Sequence, residues 1–366
     1  MKLLVQTSKS VSLSEVGRQI GYVAEQKGYI VVLNREFPQW TDYRKVANKM
    51  ILVHAISPLW STGYFAIYHK AKRELDGNVL FYATCEGVPK PHLFPEWVFS
   101  EVEFVANSRF TKLMLKRAGF RVREVIHHGV CEAEVEEAIE YIPKYREIVE
   151  RYFKDRVSFA FVGDDVFRKN IDKLIEAVSL LSQKRDDFVI FIISKQSVKR
   201  KIAGNPFIYY VADMGSRLHS EILAFYGSCN YTVYSGSCDG FGLPILESMR
   251  MGTPVIHCWC DPYREFSTND GNIVFDYTNE KIVDTGDGID YIYYEYDVKE
   301  LASALDNAID IYKKYKSQYE EMKIKVEEQA KRFKAEELYS KLIDMIGKKG
   351  EKKVRIKKVK SEKEEK

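Results

Sequence analysis

Short apolar runs alternate with amphipathic stretches through the first 130 residues of the chain. Six runs have the length of buried strands, namely KLLVQT, YIVVL, KMILVHA, NVLFYAT, VEFVAN and VREVIHHGV. Segments such as LSEVGRQIGYVAEQKG and TKLMLKRAG have helical spacing and end in glycine. Strands that alternate with helices predict a parallel sheet covered on both faces.

A second alternation follows residues 132–156, which are charged and helical in pattern but lack a deep apolar face. Five strands (VSFAFVG, DFVIFIIS, PFIYYVA, NYTVYSG and TPVIHCW) and three helices (IDKLIEAVSLLSQ, LHSEILAFYGS and LPILESMRMG) are predicted there. Residues 298–346 are helical by periodicity, with Asp297 as N-cap. The pattern therefore predicts two α/β domains, 1–150 and 151–346, each a doubly wound parallel sheet, facing each other across a cleft.

The acidic segment DTGDGIDYIYYEYD lies between the second sheet and the C-terminal helices. It lacks the ligand spacing of an EF-hand calcium loop. A Gly/Asp turn that leads into a tyrosine-rich edge strand is the favoured interpretation.

Composition agrees with a globular enzyme of two domains. The chain has 366 residues, too many for one ordinary core, with 45% hydrophobic and 30% charged residues. No apolar run is long enough to span a bilayer and the start does not resemble a signal peptide, so a cytoplasmic location is expected. The six cysteines form no C-x-x-C pair, which favours buried thiols over a metal site or disulfides.

Basic charge is concentrated at the C-terminus. Residues 348–366 hold ten Lys/Arg and four Glu, a balance of +6, although the whole chain carries only +3. This tail, assigned to 347–366, is predicted to be disordered, and peripheral contact with an anionic membrane at its inner face is the functional alternative. No specific nucleic-acid partner is expected.

The stretch SGSCDGFGLPILESMRMGTP, residues 235–254, has the form of a strand-to-helix turn that binds an anion. Gly240 and Gly242 allow close approach of the backbone, and the helix that begins near Leu243 directs free N–H groups at a diphosphate. Glu247 is suited to ribose hydroxyls and Asp239 to sugar hydroxyls. Together these groups describe a sugar-nucleotide site; the alternative is a tight turn with Glu247 on a solvated face.

The segment DGFGLPILESMRMGTPVI resembles the E-x7-E signature region of the retaining GT-B glycosyltransferases of family 4, glycosyl transferases group 1. FAFVGDDVFRKNIDKLIEAVSLL, FVANSRFTKLMLKRAGFRVREVIHHGV and SEILAFYGSCNYTVYSGS are similar to further parts of that family. The resemblance is good over 100–130 and 158–260 and weak elsewhere. It implies a GT-B fold with two Rossmann-like domains.

By this resemblance, Glu247 would bind the donor ribose. The backbone of Gly240, Phe241 and Gly242, with Leu243 at the helix start, would contact the donor sugar and diphosphate. Asp239 stands where the family usually has its first Glu, and its shorter side chain puts the donor identity in doubt.

The resemblance also assigns a phosphate loop and a position for the acceptor. Lys169 would bind the diphosphate, while Asp164 replaces the usual arginine and Arg168 is the candidate substitute for its charge. Cations there stabilise the leaving group without a metal; the alternative for RKN is a solvated helix start. Glu86 falls where relatives carry a histidine, and would orient or deprotonate an acceptor hydroxyl unless it serves a turn or pairs with nearby lysines.

His54 and His128 follow predicted strands without a second catalytic residue at a useful spacing, which favours structural roles for both.

The function predicted from the resemblance is a retaining, metal-independent glycosyltransferase of the hexosyltransferase type. It would move a sugar from a nucleotide-diphosphate donor, with no other cofactor, to a hydroxyl of a glycan, lipid or protein-linked glycan. The alternatives are a GT-B epimerase or phosphorylase, or a sugar-nucleotide-binding protein without catalysis. Donor base, donor sugar, acceptor and linkage stay open.

Overall fold

The N-terminal part of the chain forms a six-stranded parallel sheet. The structure is a computed structural model that describes residues 1–37 and 42–347, so the basic tail lies outside the described residues. The strands and helices of this part are β1 (Lys2–Gln6), α1 (Val11–Gln26), β2 (Ile30–Asn34), β3 (Lys49–Ala55), α2 (Pro58–Glu74), β4 (Val79–Thr84), β5 (Gly87–Pro89), α3 (Glu96–Glu101), β6 (Glu103–Ala106), α4 (Arg109–Arg117) and β7 (Arg121–Val125). The sheet has the order β2-β1-β3-β4-β6-β7 and does not include β5.

The second part repeats this architecture with a different strand order. After the connecting helix α5 (Glu132–Phe153) come β8 (Val157–Val162), α6 (Ile171–Leu181), β9 (Phe188–Ser194), α7 (Gln196–Lys201), β10 (Ile208–Asp213), α8 (His219–Ser228), β11 (Tyr231–Tyr234), α9 (Leu243–Arg250), β12 (Val255–Cys258) and β13 (Ile273–Phe275). Their order is β10-β9-β8-β11-β12-β13, and every pairing is parallel. The predicted pair of doubly wound parallel-sheet domains is confirmed.

The order of the strands determines where the loops with the candidate site residues lie. In each sheet the order reverses at one point, between β1 and β3 in the first and between β8 and β11 in the second. Doubly wound sheets bind ligands beyond the carboxyl ends of the strands at such a point. The loop 163–170 follows β8 and the loop 235–242 follows β11, so both lie at the reversal of the second sheet.

A third, antiparallel sheet joins the two domains. The strands β14 (Asn279–Asp284) and β15 (Ile289–Glu295) form a hairpin, and β15 also pairs with β5 of the first domain. The sequence-based prediction of an edge strand here was wrong, because β15 is central between β14 and β5. Its alternation of buried and half-buried positions fits a strand with partners on both sides.

The C-terminal helices divide between the domains. Helices α10 (Val298–Lys314) and α11 (Lys316–Ala330) pack on the second domain, but α12 (Ala335–Asp344) returns to the first and packs against α1. Tyr339 and Leu342 of α12 are fully buried in one apolar cluster with Leu3 and Ile20. The predicted assignment of all residues 151–346 to the second domain therefore needs correction, because apolar periodicity predicts a buried face but not its partner.

All six cysteines are buried and none is in a disulfide, as their spacing predicts. In the described ranges, no helix is both long and apolar enough to cross a membrane.

Glu265 of the second domain caps a helix of the first. Its two carboxylate oxygens accept hydrogen bonds from the backbone N–H groups of Arg109 and Phe110, each at 2.7 Å, and one oxygen lies 2.9 Å from Nε2 of His127. These N–H groups at the start of α4 have no acceptor within their own helix. A carboxylate there compensates both the unpaired donors and the positive helix end.

We expect Glu265→Ala to lower the free energy of unfolding by about 1–2 kcal/mol, the usual effect of removing a helix cap. Chemical denaturation of both proteins measures the difference. Glu321→Ala is the control, since Glu321 is an exposed helical residue that pairs with Lys325 on the helix surface, and its loss should cost no more than about 0.5 kcal/mol. Equal effects of the two substitutions would contradict a capping role.

Candidate active site

A cleft of about 830 Å³ lies between the two domains at the carboxyl ends of both sheets. The loops after β1, β3, β4 and β6 line one wall, and the loops after β8, β9, β10 and β11 line the other. The predicted site residues Glu86, Arg168, Lys169, Asp239, Gly240, Phe241, Gly242, Leu243 and Glu247 all belong to this lining. The fold thus brings together residues that are distant in sequence.

Asp239 is the centre of a buried polar cluster. Arg168 Nη1 at 2.8 Å and Lys169 Nζ at 2.7 Å contact its Oδ1, while the hydroxyls of Tyr234 at 2.5 Å and Tyr263 at 2.8 Å donate to its Oδ2. Its side chain is only 6% exposed, so these four donors replace water. Asp239 therefore holds the two predicted phosphate-binding cations in place, a contact that the sequence pattern did not indicate.

The charges of this cluster shift the pKa values of its two carboxylates in opposite directions. Burial acts to raise the pKa of Asp239, but Lys169 and Arg168 outweigh it and lower that pKa. Glu86 Oε1 lies 3.0 Å from Arg168 Nη2, yet burial dominates and raises the pKa of Glu86. Arg168 is stabilised in its charged form, because both carboxylates raise its pKa against the effect of burial. Of the two acids, Glu86 takes up a proton more readily.

Gly240 and Gly242 of the loop 235–242 are required by close packing, Gly240 against the first domain and Gly242 within the second. A Cβ on Gly240 would lie 2.1 Å from Thr84 Oγ1, and the Gly240 carbonyl accepts a hydrogen bond from Ser108 Oγ at 2.7 Å. Gly242 has φ +103°, and a Cβ there would lie 2.7 Å from the Tyr263 ring. The alternative interpretation of this stretch as a tight turn is therefore enough to explain why both positions are glycine. Contact of these glycines with a ligand stays a prediction.

Backbone donors at the start of α9 face the same cleft. The N–H groups of Gly240, Phe241, Gly242 and Leu243 make no hydrogen bond to any residue within 1–37 or 42–347, and no side chain caps this helix. The Phe241 side chain itself is in the core, where its ring stacks on Phe266 with centroids 4.6 Å apart. Any contribution of Phe241 to a ligand site is thus from its backbone.

Glu247 is buried in a network that crosses the domain boundary. Its Oε1 lies 3.0 Å from Nε2 of His219, and Nδ1 of His219 lies 3.1 Å from Glu134 and 3.5 Å from Glu15. Arg18 pairs in turn with both Glu15 and Glu134. The alternative of a solvated Glu247 is wrong. Sequence reasoning missed His219, although its place at the start of the helix that follows the predicted strand PFIYYVA was a signal.

The ligand atoms of Glu15, Glu134 and His219 all lie within 4.8 Å of one another, a spacing that suits a metal ion. The guanidinium of Arg18 already pairs with both carboxylates, which leaves little negative charge for a divalent cation. This group is better explained as an ion-pair network. The absence of a metal site stays a prediction.

Asp164, at the position where the family has an arginine, forms an ion pair of 2.6 Å with Lys195. Both residues line the cleft. Lys195 therefore adds a cation that sequence reasoning missed; its position directly after the buried strand β9 was the available signal.

The two histidines with predicted structural roles differ in the structure. His128 is buried and hydrogen-bonded, with Nδ1 3.0 Å from Tyr82 Oη and Nε2 3.1 Å from Asn107 Nδ2. His54 is equally buried, but neither ring nitrogen has a hydrogen-bond partner among the described residues. The predicted structural role fits His128, whose ring nitrogens are both hydrogen-bonded. It does not explain why the ring nitrogens of His54 are buried without such bonds.

The chain is similar in sequence to known glycosyltransferases. The model of the family Glycosyl transferases group 1 matches residues 144–325. Over 350 residues the chain is 27% identical to uncharacterized glycosyltransferase 335 of Sulfolobus islandicus rod-shaped virus 1, covering 94% of this chain and 100% of that protein.

Two solved structures with low sequence identity share the fold. The glycosyltransferase from Rickettsia africae ESF-5 superposes with a TM-score of 0.70 at 14% identity, over 94% of this chain and 97% of that one. Anabaena Alr3699/HepE, crystallised with UDP-glucose, superposes with a TM-score of 0.67 at 12% identity, over 94% and 99%. At these identities the likeness shows the two-domain architecture alone.

Proposed function

The chain is a GT-B glycosyltransferase, and we propose that it moves a hexosyl unit from a nucleoside-diphosphate sugar to an acceptor hydroxyl with retention at the anomeric carbon. The observation that carries the proposal is the convergence of three groups in one cleft. These groups are the cations Arg168 and Lys169, the unpaired amides at 240–243 and the buried carboxylate of Glu247. They match diphosphate, donor sugar and ribose, respectively.

In the proposed reaction, the bond between the anomeric carbon and the diphosphate oxygen breaks as the acceptor oxygen bonds to that carbon from the same face, so that the configuration is retained. The negative charge that develops on the diphosphate would be stabilised by Lys169, Arg168 and the amides of the 240–243 turn. Asp239 would keep both cations oriented before the donor binds, so little reorganisation accompanies the reaction. This arrangement provides stabilisation of the leaving group by the chain's own cations.

The acceptor hydroxyl proton would pass to Glu86, whose raised pKa suits proton uptake. Glu86 follows β4 in the first domain, on the wall opposite the cations, and keeps 21% of its side chain exposed. A carboxylate there can reach an acceptor that enters from the first domain while its pairing with Arg168 fixes its orientation.

A thermal-shift screen against UDP-, GDP- and ADP-sugars tests the donor class. We expect one series to raise Tm, and Alr3699/HepE with its bound UDP-glucose supports the uridine series. A glucose 1-phosphate control without the nucleoside should shift Tm far less, because it lacks the ribose contact at Glu247. If no nucleotide sugar stabilises the protein, the proposal fails.

A sugar-nucleotide-binding protein without turnover is the second candidate, because Asp239 and Glu86 already compensate the charges of Lys169 and Arg168. Release of nucleoside diphosphate from a donor that binds separates the two. Multiple turnovers in the presence of acceptor glycosides exclude the binding protein, and donor binding without any release in the presence of those acceptors favours it.

Donor affinity is expected to fall at alkaline pH because of His219. Burial acts to lower the pKa of this imidazole, but Glu247 and Glu15 outweigh burial and the opposing Arg18, and raise it above 6.5; Glu134 also contacts the ring. The stabilisation by the imidazolium is therefore complete below 6.5 and is lost as pH rises through the raised pKa. Above it, Glu247 loses its charged partner and its fixed position.

Measuring donor Kd from about pH 6 to about pH 9 tests this expectation with His219→Gln as the control. Glutamine keeps an N–H donor but does not titrate, so its Kd should be weaker near neutral pH and should lack the alkaline rise. The same pH dependence in both proteins would show that His219 does not position Glu247.

A further inference from the structure

The first-domain wall of the cleft contains buried polar atoms without partners. His54 is 5% exposed and Asn107 is 1% exposed, and both line the cleft. Oδ1 of Asn107 has no hydrogen-bond partner in the described part of the chain, and the only polar contact of the His54 ring there, with the Trp60 backbone, falls outside normal hydrogen-bond geometry. Buried polar groups in proteins are nearly always hydrogen-bonded. Unpaired polar atoms that lie together in a cleft therefore indicate that a bound ligand supplies the missing hydrogen-bond partners.

Strand order brings these atoms to one place in the cleft. His54 lies near the carboxyl end of β3, and Asn107 directly follows β6. The strand β4 lies between β3 and β6, and Glu86 follows it by two residues. His54 stacks on Tyr64 with ring centroids 3.9 Å apart, which fixes its orientation. The two unpaired groups thus flank the loop that bears the proposed proton acceptor.

This wall is suited to a neutral ligand. Burial lowers the pKa of His54 to about 4 and outweighs the weak hydrogen bond to the Trp60 backbone, which acts to raise it. The ring is therefore uncharged at neutral pH and has one donor and one acceptor nitrogen. Lys9 is the only Lys or Arg of the first domain among the described residues that line the cleft, and it pairs with Glu36 at 2.7 Å. The described part of this wall therefore carries a single cation, whose charge Glu36 balances, and no cluster of cations that would select a phosphate or carboxylate.

An aromatic surface completes the wall. Trp60, at the start of α2, lines the cleft and is 67% exposed. A pyranose presents an apolar C–H face that packs on an aromatic ring and hydroxyls that pair with neutral polar atoms. A hydrocarbon chain would use the Trp60 ring but would leave His54 and Asn107 unpaired.

We propose that His54, Asn107 and Trp60 form the subsite of the acceptor, and that the acceptor is a neutral pyranose, either free or at the end of a larger glycoconjugate. The sugar would stack on Trp60, and its hydroxyls would pair with His54 and Asn107 so that one hydroxyl reaches Glu86. This inference rests on the proposed glycosyl transfer, since it assigns the second substrate of that reaction.

Saturation-transfer NMR on the full-length protein with bound UDP tests the subsite. The probes are methyl α-glucopyranoside, methyl α-mannopyranoside and methyl β-galactopyranoside, with n-octanol as the apolar comparison. We expect at least one glycoside to bind, and its affinity to fall about 10-fold in Trp60→Ala and in His54→Phe, the size expected for one or two neutral hydrogen bonds or a stacking contact. Tyr152→Ala, which removes an aromatic side chain 68% exposed and outside the cleft lining, should leave binding unchanged.

Thermal stability distinguishes a binding role of His54 from a structural one. His54→Phe removes two unpaired nitrogens and keeps the stacking on Tyr64, so Tm should not fall. His257→Phe is the matched control: His257 is buried with both nitrogens hydrogen-bonded, to the Cys258 carbonyl and to Ser267 Oγ, each at 2.8 Å, and Tm should fall.

Binding of n-octanol without binding of any glycoside would overturn the inference, as would glycoside binding that His54→Phe and Trp60→Ala leave unchanged. If His54→Phe lowers Tm as much as His257→Phe does, His54 has a structural role and not a binding role. Binding of UDP itself is measured first in the thermal-shift screen, so failure of the donor assignment is recognised separately from failure of the acceptor subsite.

Discussion

Replacing Lys169 with methionine is expected to lower kcat by about 10²- to 10³-fold, the usual effect of removing one group that stabilises charge in a transition state. Lys169 Nζ contacts Asp239 at 2.7 Å and lines the cleft, so its charge lies where the proposed diphosphate leaves. Methionine keeps an apolar side chain of similar length, and Arg168, Tyr234 and Tyr263 still contact Asp239. The fold should therefore persist while turnover falls.

Steady-state kinetics with the donor found in the screen measure this effect. Lys173→Met is the matched control, because Lys173 lies one helical turn further on, donates to the Tyr296 carbonyl at 2.8 Å and is not in the cleft lining. Arg168→Met should have a smaller effect than Lys169→Met, since that guanidinium is also held by Glu86. Turnover that survives in the variant with both cations replaced would refute their assignment to the diphosphate.

The largest loss of stability is expected for Asp239→Asn, at about 3–5 kcal/mol, because it removes the negative charge from a buried ion pair. Lys169 and Arg168 are 14% and 23% exposed, and Glu86 alone cannot compensate both. Asp172→Asn, at an aspartate 77% exposed that pairs with Lys201, should cost no more than about 1 kcal/mol. Denaturant unfolding of the three proteins gives the comparison.

Donor binding should recover much of that loss. In Asp239→Asn the cations lack their internal anion, so the diphosphate of UDP would supply it, and the Tm increase produced by UDP should exceed that of the unaltered protein. Equal Tm increases would mean that the diphosphate does not contact these cations. An Asp239→Asn protein as stable as the original would contradict the central role of this carboxylate.

Sequence patterns determined the architecture because they encode burial. Apolar runs such as FVIFIIS are short and rich in β-branched residues, as in strands buried on both faces, and the alternation of eleven predicted strands with helices predicts two parallel sheets. The positions of Lys169, Asp239 and Glu247 in the cleft followed as well, because each stands just beyond a strand or within the next helix, and parallel strands share one carboxyl edge.

Sequence patterns did not determine which remote side chains meet. His219 reaches Glu247 across 28 residues and Glu134 across 85, and Glu265 caps α4 from 155 residues away. None of these three contacts leaves a periodic signal, since each depends on how two separate elements pack. The same limit applies to β15, whose pairing with β5 lies between domains.

What the sequence determined by itself was the two-sheet fold, the family resemblance and the residues at the strand ends. What only the tertiary structure decided was the state of those residues: Asp239 saturated by four donors, Glu247 held by His219, and His54 buried without a partner. The physical reason is that local periodicity specifies which face is buried. Hydrogen bonds and charge compensation depend on distances between side chains of separate helices, strands and loops, and these distances are set only when those elements pack together.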